Sequence, residues 1–198
     1  MKHIKVLFFV VAFVATAFSN QSNWKIDAVH SSVQFSVSHM VISEVTGTFN
    51  QFDGTVFASN EDFSDAKIEV TIQAKSVDTQ NEGRDKHLQN TDFFDVEKFP
   101  TITFKSKSIE KAEGKNMYKI TGDLTMKGIT KQVVLDAKYN GTIKDMKGNL
   151  KAGFKATTTI NRMDYGVNWS KSLDAGGLVV GETVDITLNI ELDKQTQK

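Results

Sequence analysis

The 198-residue sequence contains no cysteine and a single proline, and its 24 lysines and arginines are balanced by 24 aspartates and glutamates. Without cysteine there can be no disulfide, no thiolate metal centre and no lipid-bearing cysteine, so a hydrophobic core must hold the fold alone. The balanced charge lacks the basic footprint of a nucleic-acid surface, so no nucleic-acid partner is expected. No Gly-x-Ser-x-Gly elbow, phosphate-cradling glycine loop or His-Glu-x-x-His helix is present, which removes the commonest hydrolase, nucleotide and zinc-protease signatures. The longest apolar run, Val6 to Phe18, has 13 residues, short of the roughly 20 that a membrane-spanning helix needs.

That run follows Lys2 and Lys5 and ends among the small residues Ala15, Ala17 and Ser19, the pattern of a secretion signal. Residues 1–19 are therefore expected to be a cleaved signal peptide, and residues 20–198 a single domain. Loss of Lys2 and Lys5 leaves 22 basic against 24 acidic residues, a net charge of −2. The expected product is a periplasmic or secreted protein without stable membrane insertion, with homodimerisation left open.

What the chain has in abundance is alternation. Eight stretches repeat apolar and polar residues with period two, the mark of half-buried strands: 31–40, 45–57, 66–75, 101–109, 117–126, 130–140, 150–161 and 181–192. In the second, Phe49 and Phe52 fall on opposite parities, which suggests a bulge. Lys127-Gly128 joins two of the stretches as a tight hairpin in which Gly128 takes a positive φ. Around residues 80–98 the period lengthens. Glu82 to Gln89 holds helix formers, Asp92 can cap a second helical turn, and Phe93, Phe94, Val96 and Phe99 form an apolar knot that Pro100 closes. An open sheet of eight strands would leave two edges and a bare apolar face, so an eight-stranded antiparallel barrel with this helical insert is expected. Ala74, Gly122, Ala137, Ala152 and Ala156 are small and inward-facing, which favours a hollow interior over one plugged by the aromatics.

The run from Ile26 to His39 belongs to a set of motifs with Gly47-Thr48-Phe49, Ser76-Val77-Asp78-Thr79, Arg84-Asp85-Lys86-His87-Leu88, Asp92-Phe93-Phe94-Asp95, Phe99-Pro100-Thr101-Ile102-Thr103-Phe104, Gly122 to Gly128 and Asn161 to Gly166. In order and register, from Trp24 to Leu192, this set resembles the YceI-like family. The resemblance implies a lipocalin-like barrel of bacterial periplasmic proteins that bind polyisoprenoid or related long-chain amphiphiles, with no established catalytic activity. Tyr165 departs from it, since the family more often has phenylalanine there.

The expected partner is a hydrophobic small molecule, with no cofactor beyond a bound isoprenoid or fatty-acid-like lipid. Candidate cavity residues on the strands are Phe35, Val37, His39, Val70, Ile72, Phe104, Ile120, Leu135, Ala152, Phe154, Ala156, Ile186 and Leu188. Candidates at the mouth are Arg84, Phe93, Phe94, Phe99, Arg162 and Trp169. Arg84, Asp85, Arg162 and Asp164 are read as tying the insert and the 162–180 loop to the barrel rim through bidentate ion pairs, the alternative being an arginine that meets an anionic head group. His30 and His39 are nine residues apart, so on a regular strand they face opposite ways and share no metal. His39 is expected to be buried and hydrogen-bonded or to line the pocket, and His87 to lie on an exposed helix face. Two other readings stay open: an enzyme acting on such a lipid, with Asp27, His30 and Ser31 as one conceivable triad, and a filled barrel acting through its surface.

Overall fold

The computed structural model describes residues 21–174 and 176–196, so the signal-like segment lies outside the described residues. The strands are β1 (Ser22–Ile26), β2 (Ser32–His39), β3 (Ser43–Phe49), β4 (Phe52–Ala58), β5 (Lys67–Gln73), β6 (Val77–Asp78), β7 (Thr101–Lys111), β8 (Met117–Met126), β9 (Ile129–Lys144), β10 (Leu150–Asn161) and β11 (Val180–Lys194), with helix α1 (Glu82–Gln89) between β6 and β7. All pairings are antiparallel, and β1 pairs with both β4 and β11, which closes the sheet on itself. Three positions around the barrel are shared by two short strands each. β1 and β2 both lie against β11, β4 and β3 lie against them, and β5 and β6 follow. The result is a closed eight-position barrel, with the alternation of the sequence resolved into an inner apolar and an outer polar face.

Where the parity slips, the chain bends. Phe49 and Phe52 are reconciled by a corner at Asn50 and Gln51 that ends β3 and begins β4, not by a bulge. The corner is fastened by Asn50 N–H donating to Ser76 O and Gln73 N–H donating to Gln51 O. True bulges occur elsewhere. The register of β7 against β8 shifts between Ser106 and Ser108, and that of β10 against β9 between Gly153 and Phe154. The first lets both Phe104 and Ile109 reach the interior, and the second leaves Asn140 unpaired while Tyr139 stacks on Phe154 at 5.1 Å.

The Lys127-Gly128 turn has positive φ at both residues, 50° and 74°, as a type I′ hairpin requires. A lysine tolerates this conformation here because its ammonium donates to Thr91 O at 2.9 Å and Gly166 O at 3.0 Å. The turn thus anchors the insert and the 162–180 loop to one end of the barrel. Gly122 does not contribute empty space. A Cβ there would lie 2.4 Å from the Phe104 ring and 2.6 Å from Lys105 O, so the glycine makes room for the phenyl group.

Helix α1 begins at Asn81, whose side chain accepts a 2.9 Å hydrogen bond from Arg84 N–H. The second helical turn expected from Asp92 does not form. The chain runs instead through linked turns, with Phe93 N–H donating to Asn90 O and Phe99 N–H to Asp95 O. Asp92 fails as a cap because its carboxylate turns back to His87 Nε2, 3.1 Å away.

Candidate functional site

The barrel encloses a cavity of about 250 Å³, far above the roughly 10–15 Å³ that one water needs. Strands β2, β5, β7 and β8 contribute Phe35, Val37, Val70, Ile72, Phe104 and Ile120 to its wall. Strands β9, β10 and β11 add Leu135, Phe154, Ala156, Ile186 and Leu188, and the insert adds Phe93 and Phe94. Gln34, Asp62, Thr158 and Arg162 border the space, yet the surface they present to it is essentially all carbon. Alternation therefore located most of the wall, because inward residues of a barrel share one interior.

One end is sealed. Phe63, from the loop after β4, sits with its ring centroid 5.2 Å from Trp24, 5.4 Å from Tyr139 and 5.0 Å from Phe154, edge-on to the last. The loop holds its shape because Asp65 accepts from the N–H groups of Ser59 and Asn60. Ala152 belongs to this seal, packed with Trp24 and Leu192 and 1% exposed, and does not line the cavity. The reading of Ala152 as a cavity residue is thereby corrected. It faces inward, but at a level the aromatic plug fills. Ala74 is likewise outside the wall, in a single 3-10 turn after β5.

The other end is bounded by half-buried Val37, Phe94 and Val180. Trp169 does not line the cavity. It backs Phe93 at 5.5 Å, and His87 stands edge-on to both rings, at 5.0 Å from Phe93 and 5.3 Å from Trp169. His87 thus joins the insert to the 162–180 loop while its side chain stays 40% exposed, so the expected exposed face is kept and the aromatic contact is added to it, a contact that the short helix around it gave no signal of. Phe99 is also outside the cavity, packed against Gly128 and beneath the Lys98 ammonium.

The arginines bind no carboxylates among the described residues. Arg84 donates to Thr79 Oγ1 at 2.7 Å and Thr79 O at 2.8 Å, while Asp85 accepts from Thr79 N–H, so all three lock the start of α1 to the end of β6 and none reaches the cavity. Arg162 is 4% exposed and donates to three backbone carbonyls, those of Gly181 (2.7 Å), Val180 (3.1 Å) and Val167. Burial pushes its pKa down. The tie to the rim is real, but it runs through carbonyls of the 162–180 loop and β11, which leave no trace in side-chain chemistry. The Tyr165 hydroxyl is buried without a hydrogen-bond partner among the described residues, and burial pushes its pKa up to about 12. Tyr165→Phe is expected to raise stability by about 1–2 kcal/mol, because it removes an unsatisfied polar group and keeps the ring. Chemical denaturation of the two proteins checks this, and a variant less stable than the parent would count against the unpaired hydroxyl.

His39 is half-buried at the end of β2, off the cavity wall and without a hydrogen bond from its ring among the described residues, so neither expected role is found there. His30 lies at the opposite end of that strand, where its Nδ1 is 2.8 Å from Asp27 Oδ2 and 3.8 Å from Glu191 Oε1. Those three groups fall within the reach of a single cation. Lys151 already supplies one, its ammonium 3.1 Å from Asp27, 2.8 Å from Glu191 and 2.7 Å from Asp193. Ser31 Oγ accepts from Glu191 N–H at 2.9 Å and makes no bond to His30, so Asp27, His30 and Ser31 form no proton relay.

His30 first, then Lys151, holds the Asp27 carboxyl well below the usual carboxylate range, and Asp27 in turn raises His30. A depressed carboxylate stabilises the fold above its unfolded pKa, near 4, and that contribution is lost as pH falls through the folded value. The raised histidine works in the other direction, contributing most below about pH 6.5 and less as pH rises past its folded value. In Asp27→Asn both slopes should flatten, read as Tm against pH from 2 to 8. Unchanged slopes would show that the cluster does not couple to folding.

A family description, the YceI-like domain, matches residues 24–192. A UPF0312 protein of Staphylococcus aureus (strain MSSA476) is 40% identical over 171 residues, covering 86% of this chain and 96% of its own. Among solved structures, a YCEI protein of Campylobacter jejuni superposes with a TM-score of 0.68 at 30% identity, over 80% of this chain and 90% of that one. A polyisoprenoid binding domain from Saccharophagus degradans shares the fold at a TM-score of 0.63 and 15% identity, over 87% and 98%. With the family match running through every strand of the barrel, from Trp24 in β1 to Leu192 in β11, the chain belongs to the YceI-like family.

Proposed function

We propose that the protein binds a single long-chain lipid, of isoprenoid or similar alkyl type, inside the barrel and carries it in an exported compartment. The observation that supports this most is the cavity wall, which is essentially all carbon along its length. Each buried methylene gains roughly 0.8 kcal/mol, so a five-carbon isoprene unit brings about 3–4 kcal/mol gross. Three or four such units support micromolar binding, about −8 kcal/mol, after the costs of association. Affinity then needs no polar anchor, and a polar head remains at the rim. The polyisoprenoid binding of the Saccharophagus domain concerns a ligand of this chemistry in a barrel of this shape. A catalytic reading would need a titratable pair beside the ligand. The titratable groups bordering the cavity are Asp62, Tyr118 and Arg162, of which Asp62 pairs with Lys111 at 2.9 Å and Arg162 is held by backbone carbonyls.

Native mass spectrometry of the protein purified from its own host tests the reading. The expected spectrum contains the chain that begins near Asn20 together with one lipid, which organic solvent releases. Lipid-free protein that also fails to take up a fluorescent fatty acid or a prenyl alcohol would overturn it.

A further inference from the structure

We infer that the hairpin tip between β2 and β3 is a docking element for a lipid bilayer, through which the barrel meets the membrane when it exchanges its ligand. The inference rests on the carrier reading above. The tip is Met40-Val41-Ile42, three consecutive apolar residues that are 42%, 65% and 87% exposed. Met40 and Val41 have φ of 51° and 67°, and a β-branched residue in this region is a genuine outlier. Asparagine or glycine would relieve the strain and is what such turns usually carry. The chain instead keeps strain and exposed hydrocarbon together, at a site where neither serves the core.

The surroundings hold the tip in place. Met40 N–H donates to Val179 O at 2.9 Å, Ser43 Oγ donates to His39 O, and the Val41 side chain lies against Gly177, where a Cβ would come within 2.7 Å of it. Leu173 and Leu178 are half-buried in the small hairpin that carries Gly177. Ile129, 38% exposed, opens β9 directly after the Lys127-Gly128 turn, at the same end of the barrel. This is the end bounded by Val37 and Val180, opposite the aromatic seal. His39 pairs with Val180 in the ladder, so the tip continues the cavity wall outward by one residue.

Shape and area point to a bilayer instead of a protein. Three side chains on a convex loop cannot supply the roughly 800 Å² per partner of a stable protein interface. A narrow apolar wedge suits the headgroup and acyl boundary of a membrane, where each buried side chain adds affinity independently. Other exposed hydrophobics differ in setting: Met146 is flanked by Asp145 and Lys147, and Ile143 is followed by Lys144. Among the described residues, only at the tip do three exposed ones run together, between His39 and Ser43.

The test uses vesicles of phosphatidylethanolamine and phosphatidylglycerol carrying a pyrene-labelled fatty acid, with the parent protein, Ile42→Asp and Ile42→Leu. Co-sedimentation reads docking, transfer of the probe from vesicle to protein reads exchange, and loading of the probe from ethanol without vesicles reads the cavity alone. Ile42→Asp is expected to lower both sedimentation and transfer rate about tenfold, with vesicle-free loading unchanged and Ile42→Leu matching the parent. A parent that does not sediment, or an Ile42→Asp that sediments and exchanges like it, would overturn the inference, as would an Ile42-dependent dimer in sedimentation velocity without vesicle binding. Absent vesicle-free loading, with sedimentation still dependent on Ile42, would overturn the carrier reading and leave the docking tip standing.

Discussion

Arg162→Met is expected to destabilise the protein by about 3–5 kcal/mol, the cost of breaking a buried, hydrogen-bonded charge site. Methionine fills much of the same hydrophobic path but donates nothing, so the carbonyls of Val167, Val180 and Gly181 lose the guanidinium that holds them. Each buried carbonyl left unpaired costs about 1–3 kcal/mol, partly offset by no longer burying a charge. For a chain of this size 1 kcal/mol corresponds to roughly 2–4 °C in Tm, so a fall of about 6–20 °C is anticipated. Arg162→Lys should recover little of it, because one ammonium cannot reach three carbonyls that a planar fork spans. Lipid uptake by the residual folded protein is the second measurement. Were Arg162 chiefly a contact for an anionic head group, Arg162→Met would lose uptake of a fatty acid and keep its Tm, and that result would displace the structural role given to it here.

The fate of Arg162 shows which layer of information the sequence carries openly. Period-two alternation locates barrel positions because each inward residue of a strand must meet the same core, so the positions of Phe35, Ile120 and Ile186 on the wall follow from parity alone. Parity says nothing once the chain turns a corner, and the Asn50-Gln51 corner between β3 and β4 therefore reads as a bulge. Nor does it say how deep along the barrel axis a residue sits. Trp169 and Phe99 carry the right chemistry for a cavity, but their neighbours are set by loops whose course depends on backbone carbonyls, the Lys127 ammonium and Gly128. The polar face of α1 leaves His87 partly exposed, as its sequence setting suggests, but the edge-on contact with Trp169 is invisible from there because Trp169 comes from far along the chain. Motif resemblance recovered what parity could not: the motif set runs from Trp24 to Leu192, the same span as the family match.

Ala152 and Ala156 make the sharpest contrast, being the same residue type on the same face of β10, four residues apart. Ala156 pairs with Ala137 and Leu188 and borders the cavity, whereas Ala152 pairs with Thr142 and Leu192 and lies in the sealed end. A phenyl group introduced at 156 enters space that is already empty in the folded protein. Ala156→Phe is accordingly expected to lower affinity for a fatty-acid probe by more than about tenfold, since it displaces several methylenes of ligand at roughly 0.8 kcal/mol each, and to leave Tm within a few degrees of the parent. At 152 there is no such space: Trp24, Phe63 and Leu192 are all buried around it. Ala152→Phe overpacks the plug and should cost about 1–3 kcal/mol or more, with binding by the protein that remains folded close to that of the parent. Thermal denaturation and probe titration on both variants give four numbers, and the crossed pattern, binding lost at 156 and stability lost at 152, is what a hollow barrel with one sealed end requires. Equal destabilisation at both sites, with no probe uptake by the parent, would mean that the interior is filled in solution, and the lipid-carrier proposal would fall with the cavity that supports it.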